Sequence, residues 1–206
     1  VKQAKSTTKP KPRRTQQERR EATIRKLLDA TIESLLAVGY SRTTVKEICK
    51  RSGVSHGGLF RFFPSLLDLI VATAEECARR QIASFEQQFA HLKHDENPLI
   101  AALHLLRSAC RSSLNTVSYE LLLAARTDAK LRRALQKPAK RYLDAIRATA
   151  ENIPGLDAIP AETREVLLFT AINTFDGETL MRTVLPQPEL EEKKMELLIG
   201  LLGLSR

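Results

Sequence analysis

The chain has 206 residues, 43% of them hydrophobic and 28% charged, which suits a soluble globular protein of one domain, or of a small domain joined to a larger one. Its longest apolar stretch, Leu197–Leu204, falls far short of the roughly 18 residues that read as a membrane span, and the basic start lacks the apolar segment of a secretory signal. The net charge of +9 sits at one end: residues 1–72 carry 15 Lys/Arg against 6 Asp/Glu, while residues 73–206 carry 18 of each. A basic first third ahead of a neutral body suggests a polyanion-binding module, or a solubilising tail.

Residues 1–14, VKQAKSTTKPKPRR, are basic and polar with little to bury, and read as a disordered arm. Ile24, Leu27, Leu28, Ile32, Leu35 and Leu36 then recur at helical spacing, with Gly39 as the stop. Thr44 and Glu47 have the spacing of a capping box for a short helix reaching about Ser52. Gly53 supplies a sharp turn, Ser55 caps a third helix, and Val54 and Leu59 are spaced as a hydrophobic staple. Pro64 is expected to end that helix, and Ser65 with Asp68 starts another. Two short helices joined by a tight turn behind a longer one make a helix-turn-helix unit.

Helical patterning then continues to the end. One helix is expected from Ser65 to about Ala90, and His91–Asn97 is a polar break. Further helices are expected from Pro98 to about Leu114, over Ser118–Arg126, and around Leu131–Ile146 with a kink at Pro138. A loop at Ile153–Pro160 precedes two last helices, about Ala161–Val184 and Glu189–Leu204. No segment alternates at period two. The expected fold is all-α with about nine helices: an arm over 1–14, a helix-turn-helix domain over 15–64 and a helical body over 65–206.

The first unit resembles the DNA-binding domain of the tetracycline-repressor (TetR) family. The resemblance runs from Arg19 to Ile70 through Ile24, Ala30, Leu35, Gly39-Tyr40, Thr43-Thr44-Val45, Glu47-Ile48, Gly53-Val54-Ser55, Gly57, Leu59-Phe60, Phe62-Phe63 and Ser65. In a helix-turn-helix the N-terminal residues of the second helix meet base edges, and here those are Ser55, His56, Gly57 and Gly58. The two glycines leave no side chain to hold the backbone off the duplex, or else they merely relax the turn. The resemblance implies phosphate contacts from Arg42, Thr43 and Thr44, although Thr44 also has a capping role. Phe60 stands where the family commonly has an aromatic hydroxyl, and Arg61, off the Leu59/Phe62 apolar side, suits a phosphate clamp. Lys46, Lys50 and Arg51 read as a solvated basic face adding long-range attraction. The chain departs from the family at Phe60, at Gly58, where a small polar residue is common, and at Leu66, where a phosphate-binding Lys is usual. The basic arm is the candidate to compensate.

The resemblance implies a ligand-sensing, dimerising body. Val166–Phe175 and Met195–Leu204 are apolar on nearly all sides, so a partner's copies of the same helices are the simplest cover. Phe169, Ile172, Leu198, Leu201 and Leu202 are the expected dimer contacts. Pocket candidates are Phe85, Phe89, His104, Cys110, Tyr119, Tyr142, Phe169 and Asn173, aromatic or polar residues among apolar helical neighbours that ordinary core packing also explains.

Three scattered cysteines, Cys49, Cys77 and Cys110, suggest neither a disulfide framework nor a metal site, so a reducing cytoplasm is expected. His91, His94, Asp95 and Glu96 read as solvated loop rather than metal ligands, and His104 with Cys110 makes no credible catalytic pair. No metal, cofactor or enzymatic activity is expected. The expected function is that of a ligand-responsive bacterial transcriptional regulator, a repressor, binding a palindromic operator as a homodimer with a small-molecule effector. The alternative is an effector-independent architectural DNA-binding protein, for which a closed, well-packed body would speak.

Overall fold

The computed structural model describes residues 15–92 and 97–203. The basic arm at 1–14, the His94-Asp95-Glu96 part of the polar break, and Leu204 at the end of the last apolar run lie outside the described residues. Among the described residues there are nine α-helices, two short 3-10 turns and no strand.

Helix α1 (Gln16–Val38) starts on a reciprocal capping box: Thr15 Oγ1 accepts from the Glu18 N–H at 3.1 Å, and the Glu18 carboxylate accepts from the Thr15 N–H at 2.7 Å. The box expected at the next helix, α2 (Val45–Ser52), is only half formed. Thr44 Oγ1 does accept from the Glu47 N–H at 3.2 Å, but the Glu47 carboxylate turns forward to Arg51 at 2.8 Å. A charged partner one turn on draws it away from the backbone N–H.

Gly53 takes the left-handed conformation, φ 67° and ψ 13°, and Ser55 caps α3 (His56–Phe60) by accepting from the Gly58 N–H at 3.1 Å. That helix ends four residues before Pro64, not at it. The Leu59 carbonyl accepts from both the Phe62 and Phe63 N–H groups, which tightens the chain into a turn. Leu27, Ala30, Ile48, Leu59, Phe63 and Leu69 form the core of this head, with Val54 and Leu59 both in it as a staple requires.

The body consists of α4 (Leu66–Ala90), α5 (Pro98–Cys110), α6 (Ser113–Ala124), α7 (Ala129–Glu151), α8 (Ala161–Arg182) and α9 (Pro188–Leu201). Helix α5 stops short of Leu114 because Ser112 accepts from the Asn115 N–H at 3.2 Å and starts α6 five residues before Ser118. Helix α7 runs uninterrupted through Pro138, which is buried. A second core joins Ile32 and Leu35 of α1 to Ile70, Val117, Leu121 and Leu131, and a third packs Cys110 against Ala171, Phe175, Met195 and Ile199.

Beside the third core lies a charged cluster that the apolar pattern of α8 and α9 conceals. Glu178, only 3% exposed at its side chain, accepts from Arg107 Nε at 2.9 Å, lies 2.5 Å from Lys194 Nζ and also binds Arg111. Arg111 reaches Glu191 at 2.8 Å and Arg107 reaches Glu192 at 2.8 Å, so α5, α8 and α9 are tied together. Burial opposes the charge on Glu178, but the bonds from Lys194, Arg107 and Arg111 outweigh it and hold the carboxyl at about 2, below its usual 4.5. Because the folded value is depressed, this stabilisation is complete above about pH 4.5 and is lost as pH falls toward 2. Glu178→Gln should cost about 3–5 kcal/mol in urea unfolding at neutral pH, since it removes the buried charge that Arg107, Arg111 and Lys194 share, and should flatten the acid limb of the stability profile.

Candidate nucleic-acid interface and body cavity

The helix-turn-helix presents a small polar face. Arg42, Thr44, Ser55, His56, Gly57, Phe60 and Arg61 are exposed. Thr43 is not. It is 4% exposed, and its hydroxyl donates to the Gly39 carbonyl at 2.8 Å and lies 3.0 Å from Ser34 Oγ, so it holds the chain between α1 and α2 instead of facing a phosphate. Arg42 donates from Nε to the Val38 carbonyl at 3.0 Å, which fixes the base of its guanidinium at the end of α1. Thr44 and Ser55 use their hydroxyls as caps.

His56 and Phe60, one turn apart, pair at 4.7 Å between ring centroids and 58° between planes. The two glycines differ. A Cβ on Gly57 would meet nothing within 4 Å, whereas one on Gly58 would stand 3.0 Å from Val54 Cγ1 and 3.1 Å from Ser55 Oγ. Gly58 therefore has an internal reason to be glycine and Gly57 has none. Leu66 also has an internal role: half-buried, it packs against both the head core and the second core.

The body holds a cavity of about 460 Å³ between α4, α5, α7, α8 and α9, within the usual size range of small-molecule sites. Its walls are mainly aliphatic, with Ile82, Leu103, Leu106, Ile146, Leu167 and Leu198 among them. Of the eight expected pocket residues only Phe85 and Tyr142 line it. Phe89 stacks on Phe85 at 5.9 Å, one turn beyond the wall. His104 is exposed, and Phe169 and Asn173 lie exposed on the outer side of α8.

Cys110 and Tyr119 are core residues. The Tyr119 hydroxyl donates to Asp176 at 2.6 Å, and burial raises both its pKa and that of the Cys110 thiol, leaving each protonated. Of the expected dimer contacts, Leu198 and Leu202 line the cavity, as does Leu201, which is nonetheless largely exposed; Phe169 is exposed and Ile172 is half-buried. Helical spacing reveals that a face exists but not which neighbour it meets.

The family model for bacterial regulatory proteins of the tetR family matches residues 27–73. Over 189 residues the chain is 46% identical to an HTH-type transcriptional regulator of Mycobacterium tuberculosis, an alignment covering 92% of this chain and 97% of the relative. The chain belongs to the tetR family. It is a helix-turn-helix transcriptional regulator, as the residues from Arg19 to Ile70 led us to expect.

Solved structures agree on the fold. A TetR-family regulator from Rhodococcus superposes with a TM-score of 0.65 at 15% identity, covering 86% of this chain and 95% of that one. FadR from Bacillus subtilis, in complex with stearoyl-CoA, gives 0.64 at 20% identity, covering 85% and 97%.

In this tetR-family chain, head and body meet at a joint that the sequence did not disclose. Gly39 adopts φ 76° and ψ 173°, a region open essentially to glycine, and a Cβ there would lie 2.8 Å from Glu120 Oε1. That same oxygen accepts from the Tyr40 N–H at 2.6 Å. The Tyr40 hydroxyl donates to Asp128 at 3.0 Å, and burial followed by this bond raises its pKa. Asp128 meanwhile accepts from the first N–H groups of α7, at 2.9 Å each from Lys130 and Leu131. Gly39→Ala should therefore lower unfolding free energy by about 1–3 kcal/mol, read by urea titration.

Proposed function

We propose that this tetR-family regulator is a homodimeric repressor that binds a palindromic operator and releases it when a small molecule enters the body. The cavity is the observation that carries the reading: an apolar space of about 460 Å³ bordered by five helices suits a sensor, and an architectural DNA-binding protein has no need of one. FadR of Bacillus subtilis, which shares the fold, is described with stearoyl-CoA bound. A cytoplasmic protein acting on the bacterial chromosome fits the absence of any helix long and apolar enough to cross a membrane among the described residues.

Pairing is supported by an apolar face with no cover. Val166 is 64% and Met181 63% exposed on α8, Val184 just past its end is 88% exposed, and Leu197 is 61% and Leu201 75% exposed on α9. So many exposed large apolar side chains on two neighbouring elements are the kind of surface that marks an interaction site. Two copies meeting there would form a four-helix contact about a two-fold axis and place two reading heads at a fixed separation.

The geometry of α4 supports the reading of release. Its 25 residues span about 37 Å, with Leu69 in the head core at one end and Gln81, Ile82 and Phe85 on the cavity wall further along. A ligand that favours a different seating of α4 changes the spacing of the heads, and its binding is coupled to operator binding by the same free energy in both directions.

Two measurements bear on these roles. At the DNA face, Gly57→Ala should leave stability unchanged or raise it by up to about 1 kcal/mol, because the helix gains a better former and no internal clash arises. It should nonetheless weaken operator binding in a fluorescence titration, while Arg61→Ala should lower affinity for all sequences and reduce the log–log salt slope by about one. Full operator affinity in both variants would remove α3 from the interface. At the pairing face, Leu197→Glu or Val184→Glu should give monomers by sedimentation and abolish tight operator binding; unaltered dimers would move the interface elsewhere.

A further inference from the structure

The polar groups on the cavity wall are not equivalent. Tyr142 donates to Gln81 Oε1 at 2.9 Å, Thr170 to the Val166 carbonyl at 2.7 Å and Thr149 to Glu86 at 3.2 Å, so each already has a partner inside the protein. Arg147 is paired with both Asp144 and Glu165. Arg164 differs. Its Nε is buried with no hydrogen-bond partner, and its guanidinium makes no ion pair among the described residues. The side chain is half-buried, with Nε shielded from water and unpaired, and the natural complement of an unpaired cationic donor is an anion.

A second observation places positive potential in the same region. Arg164 lies in the first turns of α8, whose N-cap is Pro160 and whose start has no side-chain cap. Ala161, the first residue of that helix, is on the cavity wall beside Arg164. The unpaired N–H groups and macrodipole of a 22-residue helix therefore reinforce the guanidinium. Against them stand Glu162 in the first turn, Glu151 on the rim and Glu165, the last already held by Arg147. One uncommitted cation with acidic groups around it suits a single negative charge and disfavours a multiply charged head.

We infer that the effector is an apolar monocarboxylate. Its hydrocarbon body lies among Leu103, Ile146, Leu167 and Leu198, and its carboxylate meets Arg164 and the start of α8. This rests on the effector-sensing reading proposed above and narrows it to a ligand class.

The test is calorimetric titration of the full-length dimer with four compounds sharing one chain: decanoate, decanol, decylamine and decanoyl-coenzyme A. Decanoate should bind at least about tenfold tighter than decanol, the scale of a charge-assisted bond, with decylamine weakest. Arg164→Gln should bring decanoate down to decanol while leaving decanol unchanged, and Arg164→Lys should restore part of the preference. The comparison within the unmodified protein stands even where a variant folds poorly.

Equal binding of decanoate and decanol, no binding by any of the four, tighter binding of decylamine or decanoyl-coenzyme A, or an unaltered preference in Arg164→Gln would overturn the assignment. Operator titration with and without decanoate judges the sensing reading separately. Selective binding that leaves operator affinity unchanged would refute sensing and keep the carboxylate site.

Discussion

Leu69 and Ile70 are neighbours in sequence and belong to different cores. Leu69 is wholly buried in the head, against Leu27, Ile48 and Leu59, while Ile70, 1% exposed, is buried in the body against Leu35, Val117 and Leu121. Helix α4 is thus clamped on two sides within one turn. Close-packed cores resist continuous deformation, so the helix cannot shift in one without disturbing the other. Leu66, one turn earlier, touches both cores and extends the clamp to the helix start. A Lys there would give up that packing for a phosphate contact, which is a physical account of this chain's departure from its family at that position.

A second join runs outside the cores. The Glu120 carboxylate occupies the space that any side chain at position 39 would fill and accepts the first free N–H beyond the helix. Asp128 fixes the Tyr40 ring and the start of α7 together. Head and body are therefore held both by α4, through apolar packing, and by the Gly39–Arg42 turn, through charge-assisted hydrogen bonds. The first is rigid and non-directional. The second depends on geometry.

How much of this was legible depended on the range of the interaction. Thr44, Gly53, Ser55 and Ser65 act within four residues of themselves, and each was read correctly as a cap or a turn. Ser112 is as local and carries the same signal, but the apolar run on either side of it obscured the break. The identity of the head followed from many residue types at fixed local spacing.

The body sites arise from contacts between residues far apart in the chain. Tyr40 meets Asp128, and Arg107 meets Glu178, with nothing in the intervening sequence to pair them. Choosing pocket residues by type therefore selected Tyr119 and Cys110, which are core, and missed Arg164, whose significance lies in having no partner.

Helix α8 inverts the usual order of polarity, and the inversion bears on how the chain pairs. Val166 and Met181 face outward, while Glu178 is sunk among Arg107, Arg111 and Lys194. An apolar interior would let α5, α8 and α9 slide past one another at little cost, because hydrophobic contact has no preferred direction. A carboxylate with three cationic partners does have one, since displacement along any axis leaves a buried charge unpaired. The cluster thus fixes the relative position of the two helices whose outer faces we propose to meet a second copy. Affinity for that copy would come from the apolar exterior, and the angle at which it is held from the ionic interior. In the proposed dimer the distance between two reading heads would depend on that angle, so Glu178, remote from the candidate DNA face, would help set which half-site spacing such a dimer spans.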